Sequence, residues 1–283
     1  MYNINRRKFL GYFGCGCCSL ILPSCSTVPI TDRKQLSIIP EARVNRQAAA
    51  AYESFRSKSK LITSGPKLKE IREIGKKMEF AVSAFFENQG KDDPTKNFGW
   101  DYVLVDNDKV VNAWCMPGGK IAVYTGLLKI TKNTDALSVV MGHEIAHVAF
   151  RHGNKRMSQA MGIALGGVIL NTAMRDKSKS DRALAGGAYG IGSTVGVALP
   201  FSRTQEREAD HRGLFYSAMA GFDPRGAISF WKKMQSRSKR RMPQFLSTHP
   251  NPGNRIEFLQ SNMNRALALY RQAKIARGEK PNP

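Results

Sequence analysis

His143, Glu144 and His147 stand in one short run, His143-Glu144-Ile145-Ala146-His147. Residues four apart on a helix share a face, so both imidazoles can reach a single metal ion. Glu144 projects beside them, where a carboxylate can take a proton from a water molecule that the metal activates. Two imidazoles do not complete a catalytic zinc site, which uses three protein ligands and keeps a position open. The third ligand must come from elsewhere, and Glu206-Arg207-Glu208-Ala209-Asp210 is the strongest candidate downstream. Glu206 and Asp210 stand at i and i+4 on one helix face. Glu206 can bind the metal while Asp210 accepts a hydrogen bond from the far nitrogen of a ligand histidine, fixing its tautomer. Glu208 falls off that face, toward solvent. Taken alone, the same segment also reads as a charged helix face with ordinary ion pairs.

The elements that must position these residues are legible in the spacing of apolar side chains. A helix over Thr134–Arg151, capped by Thr134 or Asn133, carries Leu137, Val140, Met141, Ile145 and Val148 on one face. His143 and His147 then lie at the edge of that face, between core and cleft. A second helix runs from Ser202 to Ala220 and is stopped by Gly221 and Pro224. Ahead of the metal helix, Leu68, Ile71, Ile74, Met78 and Val82 recur at helical spacing after Pro66. Three short runs follow, at 102–106, 110–114 and 120–124, with Pro117-Gly118-Gly119 as a turn. They make a small sheet. An earlier helix spans about 41–56, another spans 225–234 with Ile228, Trp231 and Met234 inward, and a last one spans about 252–273. His249 sits in a Ser247-Thr248-His249-Pro250 loop. The fold class is therefore α+β, mainly helical, with a small β-sheet preceding the metal helix. His152 and His211 read as structural or solvent-facing, and Cys115 as a small buried residue rather than a ligand.

Two weakly polar stretches interrupt this plan. Met161–Met174 is apolar but short, and Ala183–Phe201 is uncharged but rich in glycine. Both make poor spanning segments and read as buried or cleft-covering, with a membrane hairpin as the alternative.

The chain has 283 residues, 42% hydrophobic and 23% charged, enough for one fairly large domain with appendages. Its 44 Lys and Arg against 22 Asp and Glu give +22, which suggests an anionic surface or partner. No nucleic-acid module, finger spacing or basic-aromatic motif accompanies the charge, so no nucleic acid is expected. The cluster at Arg237, Lys239, Arg240 and Arg241 reads as solvated surface. Four of the five cysteines crowd residues 15–25, so the body of the protein has no disulfide staple. Residues 1–24 have a basic start, an apolar stretch and a small-residue end, the layout of a signal peptide, with a twin-arginine pair at Arg6-Arg7. Cys25 stands where a bacterial lipoprotein is acylated. The expected organisation is a signal peptide at 1–24, a leader at 25–63, a peptidase domain at 64–270 and a flexible tail at 271–283. The expected location is the periplasmic side of a cell envelope, membrane-anchored through Cys25.

The His143–His147 run, with Glu206-x-x-x-Asp210, resembles the HtpX and CAAX-prenyl endopeptidase family of gluzincin zinc metalloproteases. Asn112-Ala113-Trp114, Pro117-Gly118-Gly119-Lys120-Ile121 and Gly126-Leu127-Leu128 match that family's lead-in to the metal helix, and the likeness runs from about 66 to 262 in order. Within it, the chain most resembles the soluble exported bacterial branch of BepA-like and LoiP-like proteases. The resemblance implies a zincin-type domain with one zinc ion on His143, His147 and Glu206, and Glu144 as general base. It implies that His249 can approach the metal and restrain activity, as a fourth ligand or oxyanion donor; Arg203 is another candidate donor. Substrate would lie extended beside Asn112, Ala113 and Trp114. The expected function is a zinc-dependent endopeptidase acting on misfolded or misassembled envelope proteins. The alternative is an envelope chaperone or assembly factor with silenced or secondary protease activity.

Overall fold

The computed structural model describes residues 25–27, 34–36, 39–184, 186, 201–239, 242–250 and 254–282. The expected signal peptide lies outside the described residues, as do Arg240, Arg241 and most of 183–201. Cys25 opens a short strand, β1 (Cys25–Thr27), paired antiparallel with β2 (Lys34–Leu36).

Four further strands form one sheet in the order β3-β4-β6-β5. They are β3 (Leu61–Ile62), β4 (Asp101–Val105), β5 (Ala113–Met116) and β6 (Lys120–Tyr124). β4 and β6 run parallel, the other pairs antiparallel, and among the described residues β5 pairs only with β6, at the sheet edge. Alternation along β4 splits its side chains between two faces. Tyr102 and Leu104 enter the main core, where α2 (Pro66–Glu87) buries Leu68, Ile71, Ile74, Met78 and Val82. Val103 and Val105 point the other way, into a cluster with Tyr52, Phe55 and Trp114. That far face is covered by α1 (Glu41–Lys58), whose fully buried Tyr52 donates a hydrogen bond to Asp101. The expected leader is thus partly a structural wall of the sheet.

The second strand begins at Ala113 rather than Val110. Gly126, in the short unexpected helix α3 (Thr125–Thr131), packs so close to the Val110 carbonyl that a Cβ there would sit 2.3 Å from it. The backbone before Ala113 is therefore committed to that contact.

α4 (Thr134–Ala149) starts where expected, with the Asn133 side chain accepting from the Ala136 N–H. Its burial differs from the expectation. Every residue from Ala136 to Ala149 is buried, so His143 and His147 lie within an enclosed helix, not at the edge of one apolar face. The largest wall of that enclosure is α6 (Arg203–Met219), whose first turn is closed by a reciprocal Ser202–Gln205 capping box. The two helices cross at Gly142 and Gly213. A Cβ on Gly213 would lie 2.5 Å from the His143 backbone nitrogen, and one on Gly142 would lie 2.7 Å from the Gly213 carbonyl oxygen. One turn away on each helix, the Ser138 and Ser217 hydroxyls bond across at 2.6 Å.

α5 (His152–Ala173) departs most from its sequence reading. Past Ser158 none of its residues is buried, and Leu165, Val168 and Ile169 are 50%, 64% and 69% exposed. The apolar stretch expected to be buried stands out from the body. Among the described residues, no helix is long and apolar enough to cross a membrane.

α7 (Gly226–Ser238), α8 (Gln244–Thr248), α9 (Arg255–Ser261) and α10 (Met263–Ala276) complete the fold. The single last helix expected is two, broken at Asn262, whose side-chain amide donates to the Phe258 carbonyl. The expected flexible tail is helical to Ala276; beyond it Arg277 donates to the Ala220 carbonyl and the Asn282 N–H to the Tyr270 hydroxyl.

Gly213→Ala should strain the crossing and destabilise the protein by about 1–3 kcal/mol, since an added methyl must displace backbone. Urea unfolding measures this, and a midpoint equal to that of the parent would show that the helices separate freely.

Candidate active site

Three elements bring four donor groups together. α4 supplies His143 and His147, α6 supplies Glu206, and the end of α8 supplies His249. One ligand atom from each lies within 4.8 Å of every other, and all four residues are buried. His143 Nε2 is 3.1 Å from His147 Nε2 and 3.2 Å from His249 Nδ1. Glu206 Oε1 is 3.3 Å from His147 Nε2 and 3.0 Å from His249 Nδ1. His249 is not a surface-loop residue. Its ring stacks between Phe245 and Phe201, at 4.6 and 5.3 Å. Phe245 is tied by its N–H to the Val111 carbonyl, just ahead of β5.

The outer nitrogens of the two α4 imidazoles are also held. His143 Nδ1 lies 3.0 Å from Asp210 Oδ1, as the i, i+4 spacing predicts. A carboxylate only accepts, so Nδ1 carries the proton and Nε2 turns a bare lone pair inward. His147 Nδ1 meets His152 Nδ1 at 3.0 Å, and His152 Nε2 meets Glu208 Oε2 at 3.0 Å. Glu208 fixes the His152 proton on Nε2, leaving His152 Nδ1 to accept from His147. His147 Nε2 then also turns a lone pair inward. Glu208, expected to meet solvent, is therefore a partner of the site, because His152 begins α5 close enough to the α6 wall to reach it. The sequence carries no signal for this relay beyond the presence of His152.

Arg255 is the residue that sequence reasoning missed. Its side chain is fully buried and donates through Nε to Asp210 and through Nη2 to Glu206. Its guanidinium carbon lies 3.9 Å above the Trp231 ring. Two carboxylates on one buried helix face require a nearby cation, and that requirement was legible. Which of many arginines meets it was not.

Burial alone would raise the Glu206 carboxyl, but the imidazoles packed around it, His147 and His249 first, outweigh burial and hold Glu206 well below the usual carboxylate range. Burial wins at Glu144 and lifts its carboxyl above that range, against the nearby His249 and His143. The Glu144 Oε1 atom is buried without a hydrogen-bond partner among the described residues and lies 3.4 Å from His249 Nε2. The backbone N–H of Cys115, on β5, lies toward the Glu144 carboxylate and tempers its rise, so the edge strand runs alongside the base. On the same strand Ala113 is buried, and the Trp114 ring packs edge-on to Phe55 at 4.8 Å. Asn112, just before it, keeps its side-chain oxygen buried and without a partner among the described residues. Cys115 itself is a free, half-buried thiol. His211 packs on Phe215 and Phe258 outside the cluster, and Arg203 lines an outward cleft beside it.

The donor set fits a divalent cation. Two imidazole lone pairs facing each other at 3.1 Å repel, and a buried carboxylate beside them adds negative charge. A metal ion at their centre satisfies all three at once, and two imidazoles with one carboxylate match zinc.

A model of peptidase family M48 matches residues 70–263. The mitochondrial metalloendopeptidase OMA1 of Arabidopsis thaliana is 36% identical over 64% of this chain and 36% of its own length. The human mitochondrial metalloendopeptidase OMA1 is 29% identical over 90% of this chain and 49% of its own. The β-barrel assembly-enhancing protease of Escherichia coli (strain K12) is 31% identical over 61% of this chain and 36% of its own. The chain thus spans about half, or less, of the length of these relatives. The matches do not single out the soluble exported bacterial branch. They overturn the expected periplasmic lipoprotein location, since the OMA1 relatives carry mitochondrial names. With its matched region embracing both the paired histidines and Glu206, the chain belongs to peptidase family M48.

Proposed function

We propose that this chain is a zinc endopeptidase that holds one zinc ion on His143, His147 and Glu206 and cleaves extended, loosely folded polypeptide. The observation that carries this reading is the pair of inward-facing lone pairs beside an ionised Glu206, all buried, with a partnerless carboxylate oxygen on Glu144 next to them. A zinc ion there supplies Lewis acidity to the scissile carbonyl and to water. Glu144, lifted by burial, accepts the proton of the attacking water and returns it to the leaving amine. The open edge of β5 offers backbone groups to an extended substrate strand, and the free Asn112 side-chain oxygen offers one more acceptor. Main-chain pairing of this kind selects for unfolded segments over particular sequences. Misassembled membrane or envelope proteins are the substrates this reading favours, supported by a relative named for enhancing β-barrel assembly.

His249 supports a second level of the same reading. It stands among the ligand atoms, where it fills the position a substrate carbonyl or water needs. The resting protein is then restrained, and movement of α8 releases it. Silenced protease activity beside a holding role is the remaining alternative, and the same variants separate the two.

Glu144→Gln should retain one zinc per chain by elemental analysis and lose casein cleavage by about 10²–10⁴-fold. Wild-type turnover in that variant would remove Glu144 from its role; chelator-resistant cleavage would remove the metal. His249→Ala should cleave casein faster than the parent at equal zinc content, and slower cleavage would make His249 a required donor instead. Glu208→Gln should weaken zinc affinity about 10–100-fold, read by competition with a chromophoric chelator, because His152 loses the partner that fixes its proton. Unchanged affinity would show that His147 is oriented without this relay.

A further inference from the structure

On the outer side of α6 lies a cleft of about 960 Å³ that holds none of the four donor groups and meets the site described above only through Glu208, the outer end of the His152 relay. Arg203, Arg207 and His211 form one column along the helix at i, i+4 and i+8, and Thr204, Glu208 and Arg212 form the next. Glu206 and Asp210 leave the same helix toward the metal centre, so the cleft and the candidate active site share one element. None of its three arginines makes an ion pair among the described residues. Stacking, rather than carboxylates, fixes two of them. Arg207 lies 5.2 Å over Phe258, and Arg212 lies 5.2 and 5.7 Å over Phe85 and Phe150. The one carboxylate in the lining, Glu208, bonds His152 and also acts on Arg212. Burial first, and the nearby Arg212 and Arg265 after it, depress His211 to about 4.

We propose that this cleft binds a phosphate ester group. Guanidinium forks match phosphate oxygens in pairs, and stacked guanidiniums lose little freedom on binding. A bare ion would leave most of 960 Å³ unfilled, while the Phe258 ring gives the organic part of an ester an apolar wall. The headgroup of an anionic phospholipid and a soluble phosphate ester share this chemistry. The +22 chain favours an anionic ligand of either origin.

The test is calorimetric titration of the zinc-loaded full chain with inorganic phosphate, dihexanoyl phosphatidylglycerol below its micelle concentration, dihexanoyl phosphatidylcholine and an oligoglutamate peptide. Phosphate or phosphatidylglycerol should bind, and the R203A/R207A pair should weaken that binding by about tenfold or more. Tighter binding of phosphatidylglycerol than of phosphate identifies a lipid headgroup; tighter binding of the bare ion shows that the organic part of an ester contributes nothing and overturns the proposal. Should the alanine pair fold poorly, R203K/R207K keeps the charge but not the forks and should still weaken binding. The proposal is overturned if neither phosphate compound binds, or if binding survives in folded R203K/R207K. It is also overturned if binding disappears only when zinc is chelated, which places phosphate at the metal, or if oligoglutamate binds more tightly than either phosphate compound.

Discussion

The crossing of α4 and α6 at Gly142 and Gly213 is the constraint on which the rest of the site depends. Without side chains at those two positions the helix backbones meet directly, and a methyl on either would strike main-chain atoms of the other. That approach sets the distance between the paired imidazoles on one helix and Glu206 on the other. It also explains why the metal helix is enclosed on all sides rather than amphipathic. A helix lodged this tightly among α2, α6 and the sheet holds its imidazoles in place by packing.

Close approach has an electrostatic cost, and the polar network answers it. Glu206 and Asp210 leave one face of α6 together, both buried, where like charges repel strongly. Arg255 bridges both from a third helix and rests on Trp231. Each imidazole of α4 is anchored at its outer nitrogen, one by Asp210 directly and one through His152 and Glu208. The outer contacts determine where the protons sit, and so ensure that the inner nitrogens present lone pairs. Removing any outer partner therefore acts on the inner nitrogens at one remove.

Much of this was legible in the chain. The i, i+4 histidines, the Glu206–Asp210 pair, the Asn133 cap and the helical spacing after Pro66 each follow from local periodicity, and local periodicity survives folding. What was not legible depends on distant contacts. Glu208 looked solvent-facing because a helical wheel shows only its own helix, and the partner that claims it starts another. Arg255 could not be chosen among many arginines, because its role is set by two carboxylates on a separate element. The outer half of α5 was expected to be buried from its composition, yet nothing in the described fold comes to cover it. Location failed for a different reason. A leader's layout is a short-range pattern, and it gave no indication that OMA1 relatives would carry mitochondrial names.

The wall formed by α1 bears on where this protein ends and its catalytic unit begins. Trimming the chain back to residue 64 would look harmless from the family match, which starts at residue 70. It would nonetheless strip Tyr52 and Phe55 from Val103, Val105 and Ala122, laying bare one whole side of a small sheet. A shortened protein of that kind would trade a solvated helix for a sticky, strand-lined surface, and its failure in solution would say nothing about the chemistry at its centre.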